Sequence, residues 1–200
     1  GVLACSLVAV PVNLARVNWF DHDRSQIYVA WDYSYNLLQS CEQDGILFTN
    51  GDNDTFPLWY LQDVEGVRRD VRVVNLSLVN TNWYVYQLKN SSPHGSRKLE
   101  LPFTNEQIDQ LAPTGWKAQQ RSIPVPKAVA ERFGVTDTSV LNQGKITFTL
   151  SGIPYQQDIR VLRVQDLMVY SIIMSNRWER PVHFAVTCSP DSKIGLDNYL

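Results

Sequence analysis

The sequence predicts an α/β domain, a three-layer, Rossmann-like and mostly parallel sheet with an inserted variable region at about 91–145. Three observations predict it. Short runs rich in β-branched residues alternate with apolar stripes at helical spacing. One run, one helix and a second run follow each other within residues 46–78, an order that makes a right-handed crossover between parallel strands. Polar residues gather where the apolar runs stop, and open α/β sheets place their ligands outside the carboxyl ends of their strands.

The chain opens with GVLACSLVAVPVNL, apolar up to Asn13. This stretch is shorter than the roughly 20 residues of a complete membrane span and lacks the basic front of a signal peptide. It fits a core strand or helix, a linker, or the last turns of a spanning helix, with residues 14–200 forming a single domain that carries the insertion. From Asp23 to Cys41, Ile27, Trp31, Tyr35, Leu38 and Cys41 recur at three- and four-residue steps and predict a helix capped by Asp21 or Asp23. Ile46 to Thr49 reads as a strand. Asp54 is placed to cap a helix over Thr55 to Val64, with Pro57 in the tolerated first turn and Gly66 as its stop.

Val71 to Leu78 is a second strand, and a short helix follows near Trp83 to Leu88. NSSPHGSRK then reads as a polar loop, with His94 as a solvated side chain. Thr104 and Gln107 have the spacing of a capping box. IPVPKAVAERFG suggests a further short helix stopping at Gly134. Ile146 to Leu150 is a strand, and Val164, Leu167, Met168, Ser171, Ile172 and Ser175 form one helical stripe. Val182 to Thr187 is the last strand, carrying His183 as a hydrogen-bonded core histidine.

Composition removes several functions. With 20 acidic and 18 basic residues the net charge is −2, and no dense basic run exists, so there is no electrostatic footprint for nucleic acid. Cys5, Cys41 and Cys188 are odd in number and far apart, which argues against a zinc site and for buried free thiols. GxSxG, P-loop and GxGxxG motifs are absent.

The chemistry concentrates in GDND. The first predicted strand delivers Thr49, Asn50, Gly51, Asp52, Asn53 and Asp54; the second delivers Asn75, Ser77 and Asn80; the last delivers Thr187, Ser189 and Asp191. If these strands are parallel neighbours, the groups converge on one edge. The candidate binding set is Asn50, Asp52, Asn53, Asp54, Trp59, Asn75 and Asn80. Several residues here have a local alternative: Asp54 as a cap, Gly51 and Asn53 as turn formers, Trp59 as core. Asp52 is least explained locally, since its neighbours already supply turn and cap. Its carboxylate suits a sugar hydroxyl, a general base, or, with Asp54, a divalent cation.

Three stretches, DHDRSQIYVAWDYSYNLLQSC, ILFTNGDNDTFPLWYLQDVEGVRRDVRVVNLSLVNT and RPVHFAVTCSPDSKIGLDNYL, resemble a family of large bacterial membrane proteins described as protein O-mannosyltransferase-like. That family belongs to the GT-C class of glycosyltransferases and is common in Bacteroidetes-type bacteria. The resemblance covers most of residues 13–90 and 150–200. It implies a polytopic region ahead of this segment, so that the apolar start is the end of a spanning helix. It also implies a polyprenyl-phosphate sugar donor, an inner-membrane location and a domain facing the periplasm that holds a glycan or protein acceptor. The catalytic acid of such enzymes lies in the membrane region, so no catalytic residue carries over. Two alternatives stand beside it: an independent metal-assisted hydrolase or transferase using Asp52 and Asp54, and a non-catalytic assembly module.

Overall fold

The structure is a computed structural model and describes residues 1–156 and 159–199. Leu200, which closes the last resembling stretch, lies outside the described residues. The chain divides into two compact units, Gly1–Tyr33 and Ser34–Leu200.

In order along the chain, α1 spans Val2–His22, α2 Val29–Ser40, β1 Ile46–Thr49, α3 Asp52–Asp63, β2 Arg72–Asn75 and α4 Asn82–Asn90. Then come α5 Asn105–Asp109, β3 Thr114–Trp116, β4 Gln119–Pro124, α6 Lys127–Arg132, α7 Thr138–Gln143 and β5 Lys145–Leu150. The chain continues with β6 Ile153–Gln156, β7 Ile159–Leu162, α8 Val164–Asn176 and β8 Val182–Phe184.

Helix α1 has no buried residue. Its carboxyl-terminal end is Asp23, whose N–H donates to the Trp19 carbonyl, so Asp23 closes this helix and does not open the next. The following helix begins at Val29, six residues later than its periodicity suggested.

The α/β prediction is corrected. The fold is mostly helical, 49% helix against 17% strand, and its sheets are small and largely antiparallel. Among the described residues, a parallel ladder exists only as the three-stranded order β2-β1-β8, with β1 parallel to both neighbours. The remaining strands pair antiparallel, as β3-β7-β6 and as β4-β5. The physical reason is visible in β5. Its residues alternate between exposed and buried along KITFTL, as a strand with one solvated face does. Strands β1 and β2 are buried at every position, as parallel strands covered on both faces are. The run ITFTL therefore belongs to a one-sided hairpin and does not extend the parallel sheet.

The core follows strand alternation. Ile46, Phe48 and Val74 join a continuous apolar cluster with Val85 and Leu88 of α4 and Met168 and Ile172 of α8. Leu47 and Val73 project from alternate positions, lie outside that cluster and are equally buried, so both faces of the small sheet are covered. Each such side chain, fully buried, contributes about 1.5–3 kcal/mol. The capping box at Thr104 and Gln107 forms as its spacing predicts, opening α5.

Candidate functional site

The site lies where β1 ends. Parallel pairing puts Thr49 beside Asn75, and Leu76 N–H continues the ladder to the Thr49 carbonyl at 2.9 Å. On the other side Ala185 N–H donates to the Phe48 carbonyl at 2.8 Å, which brings the segment after β8 to the same edge.

Between β1 and α3 the chain turns through Gly51, at φ +78° and ψ −172°. That region of backbone space is essentially restricted to glycine. Gly51 is also the N-cap of α3, so the helix starts at Asp52 and Asp54 occupies its third position. The expectation that Asp54 caps the helix is thereby corrected. Its carboxylate instead reaches back to accept from Asn50 N–H at 3.3 Å and accepts from the Thr187 hydroxyl across the sheet edge.

A second knot lies beneath. The Thr55 hydroxyl donates to the Gly51 carbonyl at 2.7 Å, and so accepts from the Thr49 hydroxyl at 2.7 Å. The Asn75 amide nitrogen donates to Gly51 O at 3.1 Å and to Thr55 Oγ1 at 2.8 Å. The Asn75 amide oxygen accepts from the N–H groups of Ser77 and Leu78, and Asn75 N–H donates to the Tyr84 hydroxyl. The buried polar atoms of this elbow are therefore partnered, as burial requires.

The candidate residues separate into three groups. Asp54, Asn75 and Asn80 hold the fold. The Asn80 side chain donates to the Leu76 and Ser77 carbonyls and accepts from Gln165 N–H. Asn50, Asp52 and Asn53 are exposed, and their side chains make no hydrogen bond or ion pair among the described residues. Asp52 and Asn53 stand on the first turn of α3, where unpaired N–H groups and the helix dipole favour an acceptor or an anion. Trp59 is half-buried, stacks on Phe56 at 5.5 Å and lines a separate cavity with Trp83 and Tyr84.

Further along the edge, Asp191 pairs with Arg163 at 2.9 Å and Ser189 with Ser192 at 3.1 Å. Burial and the nearby Asp54 push the Cys188 thiol up to about 11, and burial pushes Cys41 to about 11, so both are inert free thiols. Cys5 is exposed, contrary to the expectation that all three are buried.

A divalent cation at Asp52 and Asp54 finds little support in the donor set. No group of three or more His, Cys, Asp or Glu side chains among the described residues is arranged to hold a metal. The Asp54 carboxylate is committed to Asn50 and Thr187.

His183 is partly buried, and its Nε2 accepts from Glu42 N–H at 3.3 Å. His94 is not solvated: its Nδ1 lies 2.7 Å from Asp63 and its side chain is 16% exposed. Sequence reasoning missed Thr55, which looked like an ordinary helix start. It also passed over Arg72, although an arginine inside the apolar run VRVVNLSL was itself a signal.

Fold and site together define a helix-rich domain with a small parallel sheet whose carboxyl edge carries a tightly bonded strand-to-helix elbow. A family model described as TMEM260-associated domain 2 matches residues 30–122 and 116–200. The chain belongs to the TMEM260-associated domain 2 family. No curated protein and no solved structure matches it.

Proposed function

We propose that the chain is the extracytoplasmic part of a polytopic membrane glycosyltransferase that uses a polyprenyl-phosphate sugar, and that it holds a glycan or protein acceptor near the membrane. Helix α1 carries this reading. Its 21 residues reach about 31 Å at 1.5 Å per residue, against a bilayer hydrocarbon core of about 30 Å. By length and composition it is able to cross a membrane, and its apolar side chains are all outside any core. Trp19 and Phe20 sit next to the polar run Asp21-His22-Asp23-Arg24, the place where interfacial aromatics stand. Pro11 lies inside the helix, a position tolerated in spanning helices. Family membership and the resemblance of GDNDTFPLWYLQ to the O-mannosyltransferase-like proteins support the transferase part. Catalysis then belongs to the membrane region, and the role of this domain is to position the acceptor.

In this reading the contact residues are Asn50, Asp52 and Asn53, the exposed lip of the elbow. Replacing Asp52 with Asn and Asn53 with Ala together in the native protein tests it. Labelling of extracytoplasmic glycoproteins is expected to fall while the melting temperature stays put, because neither side chain bonds to the fold. Unchanged labelling would remove the elbow from the function.

A further inference from the structure

A second site centres on a buried cation. Arg72 opens β2 and is only 2% exposed. Its guanidinium donates to Ser96 Oγ at 3.3 Å and to the carbonyls of Gln87 and Leu88 at 3.1 and 3.4 Å, all of them neutral acceptors and two of them at long distance. Its Nε has no partner among the described residues, and neither does the side chain have an ion pair. Gln87 and Leu88 lie in the last turn of α4, so the helix end supplies only a partial negative charge, about half a unit. Burial, with Arg180 nearby, pushes the Arg72 pKa down to about 10 against the opposing pull of Tyr84. A buried arginine so placed still lacks the anion that would offset its desolvation.

Arg72 forms part of the wall of a cavity of about 310 Å³. Rings line another part. Trp83 meets Tyr84 edge-on at 5.5 Å, and Trp59 lies 6.4 Å from Tyr84. Tyr84 is buried, whereas Trp83 is 58% exposed and open to a visitor. Gln87 adds a polar side chain to the lining, while the amide nitrogen of Gln62 already donates to the Arg68 and Val71 carbonyls at 2.9 and 2.8 Å. The carboxylate of Asp63, also at the cavity, is already held by His94 at 2.7 Å.

The volume is at the low end for a small-molecule site. Indole faces suit the C–H rows of a pyranose, and the Gln87 amide suits one of its hydroxyls. We propose that this cavity binds an acidic sugar, its ring against Trp83 and Trp59 and its carboxylate drawn to Arg72. The inference stands on these residues alone and does not depend on α1 or on the transferase reading.

The test uses the full chain in detergent micelles, titrated with glucuronate, glucose and acetate and followed by tryptophan fluorescence and calorimetry. Glucuronate is expected to give a saturable response and to raise the melting temperature. Glucose, which lacks the charge, and acetate, which lacks the ring, are expected to bind at least about tenfold more weakly. Trp83→Ala, at an exposed position, is expected to abolish the calorimetric signal with the melting temperature of the free protein unchanged. Arg72→Met is expected to remove the preference for glucuronate over glucose. No saturable response to glucuronate, an equal response to glucose, or full calorimetric binding by the Trp83→Ala variant would each overturn the proposal.

Discussion

At the scale of single residues, the elbow depends on Gly51 more than on its carboxylates. A Cβ added there meets nothing within 4 Å, so substitution has no steric cost against neighbours. The cost is in the backbone alone. Gly51→Ala is expected to destabilise the protein by about 1–3 kcal/mol, measured by chemical denaturation. A neutral result would mean the turn is not held in this conformation. His183 gives a second residue-level outcome. Burial holds its pKa below the ordinary imidazole value, against the pull of Glu42, and its Nε2 must stay unprotonated to accept from Glu42 N–H. A folded-state pKa below the unfolded one gives stability that is present above about pH 6.5 and lost as pH falls through the folded value. His183→Gln is therefore expected to flatten the stability profile below about pH 6.5, and an unchanged slope would contradict that assignment.

At the scale of elements, Arg68 joins the end of α2 to the strands. It donates to the carbonyls of Leu38, Cys41 and Glu42 at 2.9, 2.8 and 3.0 Å and forms a two-point pair with Asp70. The same pair, together with Asp44 N–H, holds the Asp70 carboxyl down at about 2, so this contribution is lost only as pH falls from about 4 through that value. Arg68→Ala removes a donor shared by three carbonyls and the Asp70 carboxylate, and is expected to cost about 2–3 kcal/mol in denaturant titration. A loss within a few tenths of that of an ordinary surface substitution would mean that α2 is fixed by packing alone.

The elements also show what the sequence made legible. Strand β1, helix α3, strand β2 and their parallel pairing were readable, because β-branched runs and a helical stripe alternate over short distances. The fold class was not. Three short strands look like the start of a large parallel sheet, and nothing within VRVVN or ILFT says the sheet stops there. The alternation of KITFTL was the available sign of an antiparallel hairpin. The elbow was legible as a position, and the hydrogen bonds that hold it were not. Asp54, Asn75 and Asn80 look like ligands in a sequence, where one cannot see that Thr187, Gly51 and Leu76 already take their bonds.

At the scale of the whole molecule, the chain carries an exposed apolar helix and a folded unit with a polar elbow, and the proposed function reads the two as a domain held at a membrane surface. Membership of the TMEM260-associated domain 2 family points the same way. The most direct measurement is a blot of membrane and soluble fractions of the source cells with an antibody to this segment. The account predicts a membrane band, resistant to alkaline extraction and several times heavier than 22.9 kDa. A soluble band near 22.9 kDa would contradict it.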